Sequence, residues 1–489
     1  MSQNFIRSVL LFCLLFFCYT SGYSQSDSMS LDEAIQLAKE NSFDYKVAIN
    51  RFQTSTWDFK NYQVAFLPSL YLNGTVPNYN RTITKITLPN GEDTFVRQNQ
   101  SYSSLNLGLS QQIAATGGRI SLASSFNRLD VFGSSRFVNY SSIPVSVSYS
   151  QDAIGYNSFM WQRKIAPLQF SSAEKGLIIS MEQISYQTVG YYFDMLTVQS
   201  IMKLDRQNLA NADTLYEMAQ ERLKLGTVSK SDLLQLRLNV LNSENQLTND
   251  STSLVLARQK LTNYLSLPES TALFLKIPDN PHFFPLRYDD AIAEARKNSK
   301  AVIEFKLQRL EAERALAETK SQNNLKFNVQ ANFGLSNTSA NIPGLFNNLE
   351  SQQNILIGFS LPLLDWGQAK IRKERAKANL SMVENQVKHG EMEMEQEIAL
   401  QAAKWNLLQR QVDVAAETQR ISIENYEMEK QRYLMGNITI NDLNAARQLK
   451  DNAANNYIGT LRRYWESYYI IRKLTLYDFE KNRKIVVFK

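Results

Sequence analysis

The residues able to do chemistry in this 489-residue chain are few, and they are spaced for electrostatics rather than catalysis. Asp232 stands six residues after Gly226, and Asp442 six residues after Gly436. Arg222 and Arg432 each stand four residues before those glycines. A carboxylate just after a chain reversal suits the positive end of a helix, and each arginine can pair with such a carboxylate or face water. His282 and His389 are isolated, and both cysteines, Cys13 and Cys18, lie in one apolar run near the start. An enzyme needs a pocket with converging catalytic groups. Nothing of that kind is visible, so neither catalysis nor a cofactor or metal site is expected.

The elements that position these charges begin after a leader. Arg7 precedes an apolar run from Val9 to Tyr19, and small or polar Ser21, Gly22 and Ser24 follow. That layout predicts a secretory signal peptide over residues 1–24; the run is too short to span a membrane. Phe16 and Phe17 ahead of Cys18 argue against lipidation there. Both cysteines leave with the leader, so the exported protein is expected to hold no disulfide. No long apolar segment follows, so only a β-barrel could cross a membrane. The net charge of +6 is dispersed, which argues against a nucleic-acid partner.

The chain is written twice. Asp32-Glu33-Ala34-Ile35 with Ala38-Lys39-Glu40-Asn41-Ser42 recurs as Asp289-Asp290-Ala291-Ile292 with Ala295-Arg296-Lys297-Asn298-Ser299, an offset of 257 residues. The set Arg222, Gly226, Asp232-Leu233 recurs as Arg432, Gly436, Asp442-Leu443, and Tyr149-Ser150 as Phe359-Ser360, both at an offset of 210. The first copy is therefore longer by the difference, 47 residues. Each copy reads as helix, strands, long helix, tight turn, long helix. The predicted layout is a first repeat over 25–267, a Pro-marked linker over 268–286, a second repeat over 287–478 and a tail over 479–489.

Opening helices are expected from about Leu31 to Tyr62 and from about Tyr288 to Gln322. In the second copy Leu325, Phe327, Val329, Ala331, Phe333 and Leu335 alternate with polar residues, and Ile355 to Leu361 alternate again. A period of two over that length fits a barrel strand with one lipid face and one lumen face. A soluble antiparallel sheet alternates too, but six such segments interleaved with very long helices favour the barrel. The first copy shows four, starting at Leu70 (up to the Pro89-Asn90-Gly91 turn), around Leu105 to Leu109, from Ile120 to Phe126, and from Val145 to Tyr149. The extra 47 residues match one added hairpin, giving six strands per chain instead of four. Neither number closes a barrel around an aqueous lumen, so chains must share strands. Three copies would supply twelve or eighteen.

Long helices are expected over Ala173–Leu225 with Lys230–Leu265, and over Ala369–Leu434 with Ile440–Thr475. Leu233, Val240, Leu247, Leu254 and Leu261 recur every seven residues, a heptad seam. Tyr457, Tyr464 and Tyr468 on the last helix read as packing residues.

The tip pattern Arg222-x-x-x-Gly226-Thr227 followed by Asp232-Leu233-Leu234, and its second copy, resembles the hairpin-tip motif of the TolC family. Ser360-Leu361-Pro362-Leu363-Leu364-Asp365-Trp366-Gly367 and Leu67-Pro68-Ser69 resemble that family's strand–helix junctions. The resemblance covers essentially the whole mature chain. It implies a mixed α/β membrane protein: a homotrimeric outer-membrane β-barrel continued by an antiparallel, coiled-coil helical tunnel through the periplasm. The implied role is the outer-membrane channel of a tripartite efflux or type I secretion system, working with a periplasmic adaptor and, through it, an inner-membrane pump. Adaptor docking would fall on Gly226, Thr227, Val228, Gly436, Asn437 and Ile438. A periplasmic gate would be built from Asp232, Asp442, Arg222 and Arg432. Asp442 matches one of the family's two inward aspartates, while Ala445 stands where the second would be. A periplasmic coiled-coil adaptor without a barrel is the alternative; it accounts for the helices but not the alternating strands.

Overall fold

The computed structural model describes residues 28–133, 136–151, 156–268, 271, 273–279, 283–323 and 325–486. The signal peptide expected over 1–24, both cysteines and His282 lie outside them.

The N-terminal helix is two helices, α1 (Leu31–Asn41) and α2 (Phe43–Val64). Between them Ser42 is extended at ψ 152°, and its hydroxyl accepts from the Tyr45 amide at 3.1 Å. α5 (Tyr288–Asn298) and α6 (Lys300–Gln322) part in the same way at Ser299, whose Oγ accepts from the Ala301 amide at 3.3 Å. The uninterrupted opening helices expected from the sequence are thus corrected. A serine hydroxyl satisfies amides that a starting helix leaves free, so each Asn-Ser pair restarts the chain as a new helix.

Six strands follow the predicted alternation: β1 (Ser69–Thr87), β2 (Asp93–Gln112), β3 (Arg119–Val131), β4 (Phe137–Gln151), β5 (Lys326–Ser339) and β6 (Glu350–Ser360). They form one antiparallel sheet in the order β1-β2-β3-β4-β5-β6, with β1 and β6 at open edges. The register places Leu70, Leu72, Leu105, Leu107, Leu109, Ile120 and Leu122 on one face. The same face continues through Tyr149, Val147, Ala331, Phe333, Ile355 and Ile357. The opposite face carries Asn73, Asn106, Ser121, Ser148, Asn332, Asn354 and their neighbours, polar and almost uncharged. Directly opposed residues of antiparallel strands share a face, so the alternation and the register agree.

The long helices are α3 (Ser158–Lys224), α4 (Lys230–Tyr264), α7 (Gln368–Leu434) and α8 (Ile440–Thr475). α3 and α7 have 67 residues each, about 100 Å at 1.5 Å per residue. α3 starts well before the expected Ala173 and contains Pro167. Packing overrides proline's local cost here: Phe170 stacks on Phe59 with ring centroids 4.8 Å apart, and Phe159 meets Phe66 at 5.7 Å. Among the described residues no helix is long and apolar enough to cross a membrane.

Two compact units interleave along the chain, each drawing on both halves of the sequence. One comprises Met1–Ile49, Leu177–Asn298 and Glu397–Lys489; the other comprises Asn50–Gly176 and Ser299–Gln396 and contains the sheet. The first is centred on fully buried Tyr192, Phe193, Leu261 and Trp405. The Trp405 indole donates to the Phe284 carbonyl at 2.8 Å, and its ring packs on Tyr464 at 4.6 Å. Tyr464 and Tyr468 of α8 are therefore packing residues, while Tyr457 is half-buried. Nearby Arg472 forks onto the buried Glu182 carboxylate at 2.7 and 3.0 Å and also bonds Asp478.

Candidate functional site at the helical turns

The first unit contains both reversals that the sequence singles out. α3 turns into α4 at Gly226 and α7 into α8 at Gly436, with φ of 72° and 80°. That left-handed conformation strains any residue with a Cβ, which is the reason glycine stands there. The hydrogen bonds repeat. The Thr227 amide donates to the Arg222 carbonyl at 3.0 Å and the Asn437 amide to the Arg432 carbonyl at 2.9 Å, while Gly226 and Gly436 donate to Leu223 and Tyr433. Each turn is a Schellman closure, so the backbones of Arg222 and Arg432 are occupied in ending their helices.

Restarting α4 and α8 uses the aspartates. The Ser229 hydroxyl donates to Asp232 Oδ2 at 2.7 Å and accepts from the Asp232 amide at 3.1 Å. At the second turn the Thr439 amide and hydroxyl both donate to Asp442 Oδ2, at 2.9 and 2.8 Å, and the Thr439 hydroxyl accepts from the Asp442 amide at 3.3 Å. These bonds hold the Asp442 carboxyl below the ordinary aspartate range, the Thr439 backbone amide contributing most and Arg432 adding a little. Ser229 and Thr439 thus cap the two helices; Asp442 alone also takes up its cap residue's backbone amide, through a single carboxylate oxygen.

The four charges proposed for the gate are only partly brought together. Arg432 pairs with Glu429 at 2.8 Å on its own helix. Arg222 lies across at the other turn, its Nη2 3.6 Å from where a Cβ on Gly436 would stand. Tyr433 is their common neighbour: burial, then the Asp232 charge, raise its hydroxyl pKa, and Arg222 opposes. Among the described residues no ion pair joins either arginine to Asp232 or Asp442. Of the six docking residues, Gly226, Thr227, Gly436 and Asn437 are exposed, flanked by exposed Leu225 and Met435. Val228 and Ile438 are half-buried against the core of Leu236, Tyr426 and Leu443, where they anchor the turns.

A polar layer escaped the sequence reading. Above the turns, Asn208 on α3 donates to Asp451 of α8 at 2.9 Å and accepts from Lys450 at 3.2 Å. Asn239 of α4 donates to Asn444 at 3.2 Å, and Lys450 lies 4.3 Å from the Tyr426 ring centroid. Asp205 titrates well above the aspartate range, at about 6, because burial and a hydrogen bond with Asp250 penalise its charge. Asp250 itself is 7% exposed, three residues after a heptad leucine. A carboxylate on an otherwise apolar seam was the available signal.

Residues 291–475 match the family described as outer membrane efflux protein. The structure supplies the whole-chain comparison. It is similar to the CmeC outer membrane channel of Campylobacter jejuni at a TM-score of 0.65 and 16% identity, covering 91% of this chain and 85% of that one. It is similar to the outer membrane protein VceC of Vibrio cholerae at 0.64 and 14%, covering 91% and 95%. The open-state MtrE outer membrane channel of Neisseria gonorrhoeae gives 0.61 and 14%, covering 94% and 91%. No curated protein matches. The fold of these structures, long helices with a β-domain, therefore extends over both halves of this chain.

Proposed function

We propose that this chain is the outer-membrane channel of a tripartite efflux or type I secretion assembly. It passes substrate from a periplasmic adaptor and inner-membrane pump to the exterior. The observation that carries this reading is the sheet, with one apolar face, one polar face and two unpaired edges at β1 and β6. Unpaired edges cannot face lipid, since each unsatisfied backbone group costs several kcal/mol. Joining β1 of one copy to β6 of the next in a closed ring satisfies them, and three copies give an eighteen-stranded barrel. The family match and the shared fold support the outer membrane as the location, with the helices in the periplasm.

The helices support the same assembly. On α7, Leu400, Leu407, Val414, Ile421 and Met428 recur every seventh residue, Met435 in the turn continues the spacing, and all six are exposed on the single chain. Leu234, Leu238 and Leu241 form a matching exposed strip on α4. Heptad ladders of this kind are seams for a neighbouring helix. Packed between copies they close a twelve-helix tunnel whose mouth is formed by the turns at Gly226 and Gly436. There the exposed tip residues meet the adaptor, and the carboxylate of Asp442, tripled by symmetry, rings the mouth with negative charge. The 257- and 210-residue offsets fit two structural repeats, each ending in such a turn.

Membrane fractionation with semi-native electrophoresis and planar-bilayer recording tests the reading. A heat-sensitive trimer in the outer membrane with discrete conductance is expected. A monomer in the soluble periplasmic fraction would refute it and favour the adaptor alternative.

A further inference from the structure

The two open edges of the sheet lack cover that its interior has. On the apolar face Leu70 and Leu72 of β1 and Ile355, Ile357 and Phe359 of β6 are 61–74% exposed. On the strands between them Leu105, Leu107, Leu122, Val147 and Phe333 are 42–46% exposed. The excess is the flank that a neighbouring strand covers. Both edges also leave their outer row of backbone donors and acceptors without a strand partner.

The sheet itself sets how another copy can join. Straight across the strands from Ser69, the opposed residues are Ser110, Ser121, Ser148, Asn332 and Asn354. The strand ends on the helix side do not follow that line. β2 and β3 run two residues past it, to Gln112 and Arg119, and β4 runs three, to Gln151. β5 and β6 run six residues past it, to Lys326 and Ser360. The ends therefore descend by six residues from β1 to β6. In a closed barrel these ends pass into helices or a turn at one membrane boundary, because irregular backbone is not tolerated in lipid. β1 of the next copy must then begin level with Ser360.

We propose that β1 of one copy pairs antiparallel with β6 of the next in a single register, with Ser69 opposite Ser360. The inference rests on the barrel reading above. Leu70 then faces Phe359 and Leu72 faces Ile357 on the lipid side, while Tyr71 faces Gly358 and Asn73 faces Leu356 on the other. Strand tilt selects the same shift independently. Six residues of about 3.4 Å against six strand spacings of about 4.8 Å tilt the strands by about 35°, within the usual barrel range of about 35–45°. A shift of four residues gives about 25° and falls outside that range. A shift of eight gives about 43°, but it sets Ser69 against Pro362, which lies beyond the end of β6 and has no amide to donate. Odd shifts place apolar residues of one edge against polar residues of the other.

Cysteine crosslinking reads the register, because both native cysteines lie in the expected leader. Directly opposed Cβ atoms lie about 4.5–5.5 Å apart and diagonal ones about 7–8 Å, so disulfides form between opposed positions. Purified full-length L72C/I357C and N73C/L356C sample the two pair types of an antiparallel ladder. At least one of them should give a covalent trimer on denaturing gels, lost on adding reductant. The shifted pairs L72C/F359C, L72C/I355C and N73C/N354C should stay largely uncrosslinked. The matching single-cysteine variants should keep the heat-sensitive trimer, which separates a wrong register from misfolding. Stronger crosslinking by a shifted pair than by both opposed ones overturns the proposal. So does a conducting trimer in which no pair crosslinks. Either result leaves the channel reading standing, while wild-type protein that forms no trimer and does not fractionate with the outer membrane sinks both.

Discussion

Thr439 and Asp442 close a reciprocal capping box: the Thr439 amide donates to Asp442 Oδ2 at 2.9 Å, and the Asp442 amide returns a bond to Thr439 Oγ1 at 3.3 Å. The aspartate expected to gate the mouth is thereby also a structural cap, and substitutions must separate the two roles. Thr439→Ala removes capping alone and should lower stability by about 1 kcal/mol without changing single-channel cation block. Asp442→Asn keeps a side-chain acceptor but loses the charge, so it should weaken cation block with less loss of stability. Identical block in wild type and Asp442→Asn would remove Asp442 from the gate.

At the turns, the positive φ of Gly226 and Gly436 sets the cost of substitution. Any L-residue there strains the backbone by about 1–2 kcal/mol, and a bulky one also blunts the exposed tip. Gly226→Val with Gly436→Val should abolish adaptor co-purification while trimers persist on gels. Unchanged pull-down would show that docking lies elsewhere.

Titration should be visible at Asp205, whose pKa is raised to about 6 beside Asp250. Other groups around the pair are Asn208, which donates to Asp205 at 3.4 Å, and Arg447, whose charge opposes the shift. The sign follows from the raised value. Stability contributed by the protonated form is fully present below the unfolded aspartate pKa near 3.9 and is lost as pH rises through about 6. Thermal melts should show this contribution falling between pH 4 and 7, and Asp250→Asn should flatten it. A variant retaining the full pH slope would place its origin elsewhere.

Arg472 is held by Glu182 from α3 and by Asp478 after α8. Glu182 is 1% exposed, so deleting Arg472 leaves a buried carboxylate with only Lys39, at 3.9 Å, to balance it. Arg472→Ala should cost about 3–5 kcal/mol, read as a lower urea midpoint. Arg472→Ala with Glu182→Gln should recover part of that loss.

For the α7 ladder, Val414→Glu places a charge on an exposed position of the single chain and should leave the protomer's fold intact. Far-UV circular dichroism should stay unchanged while the heat-sensitive trimer disappears. A trimer as heat-resistant as wild type would exclude this seam from the assembly.

Much of the architecture was legible in the residues themselves, because its causes are local. Alternation with period two assigns each residue from Leu325 to Leu335 to a sheet face, since neighbouring side chains on a strand must point opposite ways. A glycine where long helices reverse announces Gly226 and Gly436, since only glycine takes that φ without strain. The last hairpin helix falls where expected, at Ile440–Thr475. Other features depend on partners distant in sequence. The breaks at Ser42 and Ser299 looked like ordinary helical positions until the hydroxyls were seen to cap. Pro167 survives inside α3 because Phe59 and Phe66 pack on its flanks. Half-burial of Val228 and Ile438 against Leu236, Tyr426 and Leu443, and the approach of Asp205 to Asp250 across two helices, are likewise tertiary. A single sequence carries the period and the turn chemistry, whereas desolvation and charge pairing exist only once remote segments meet.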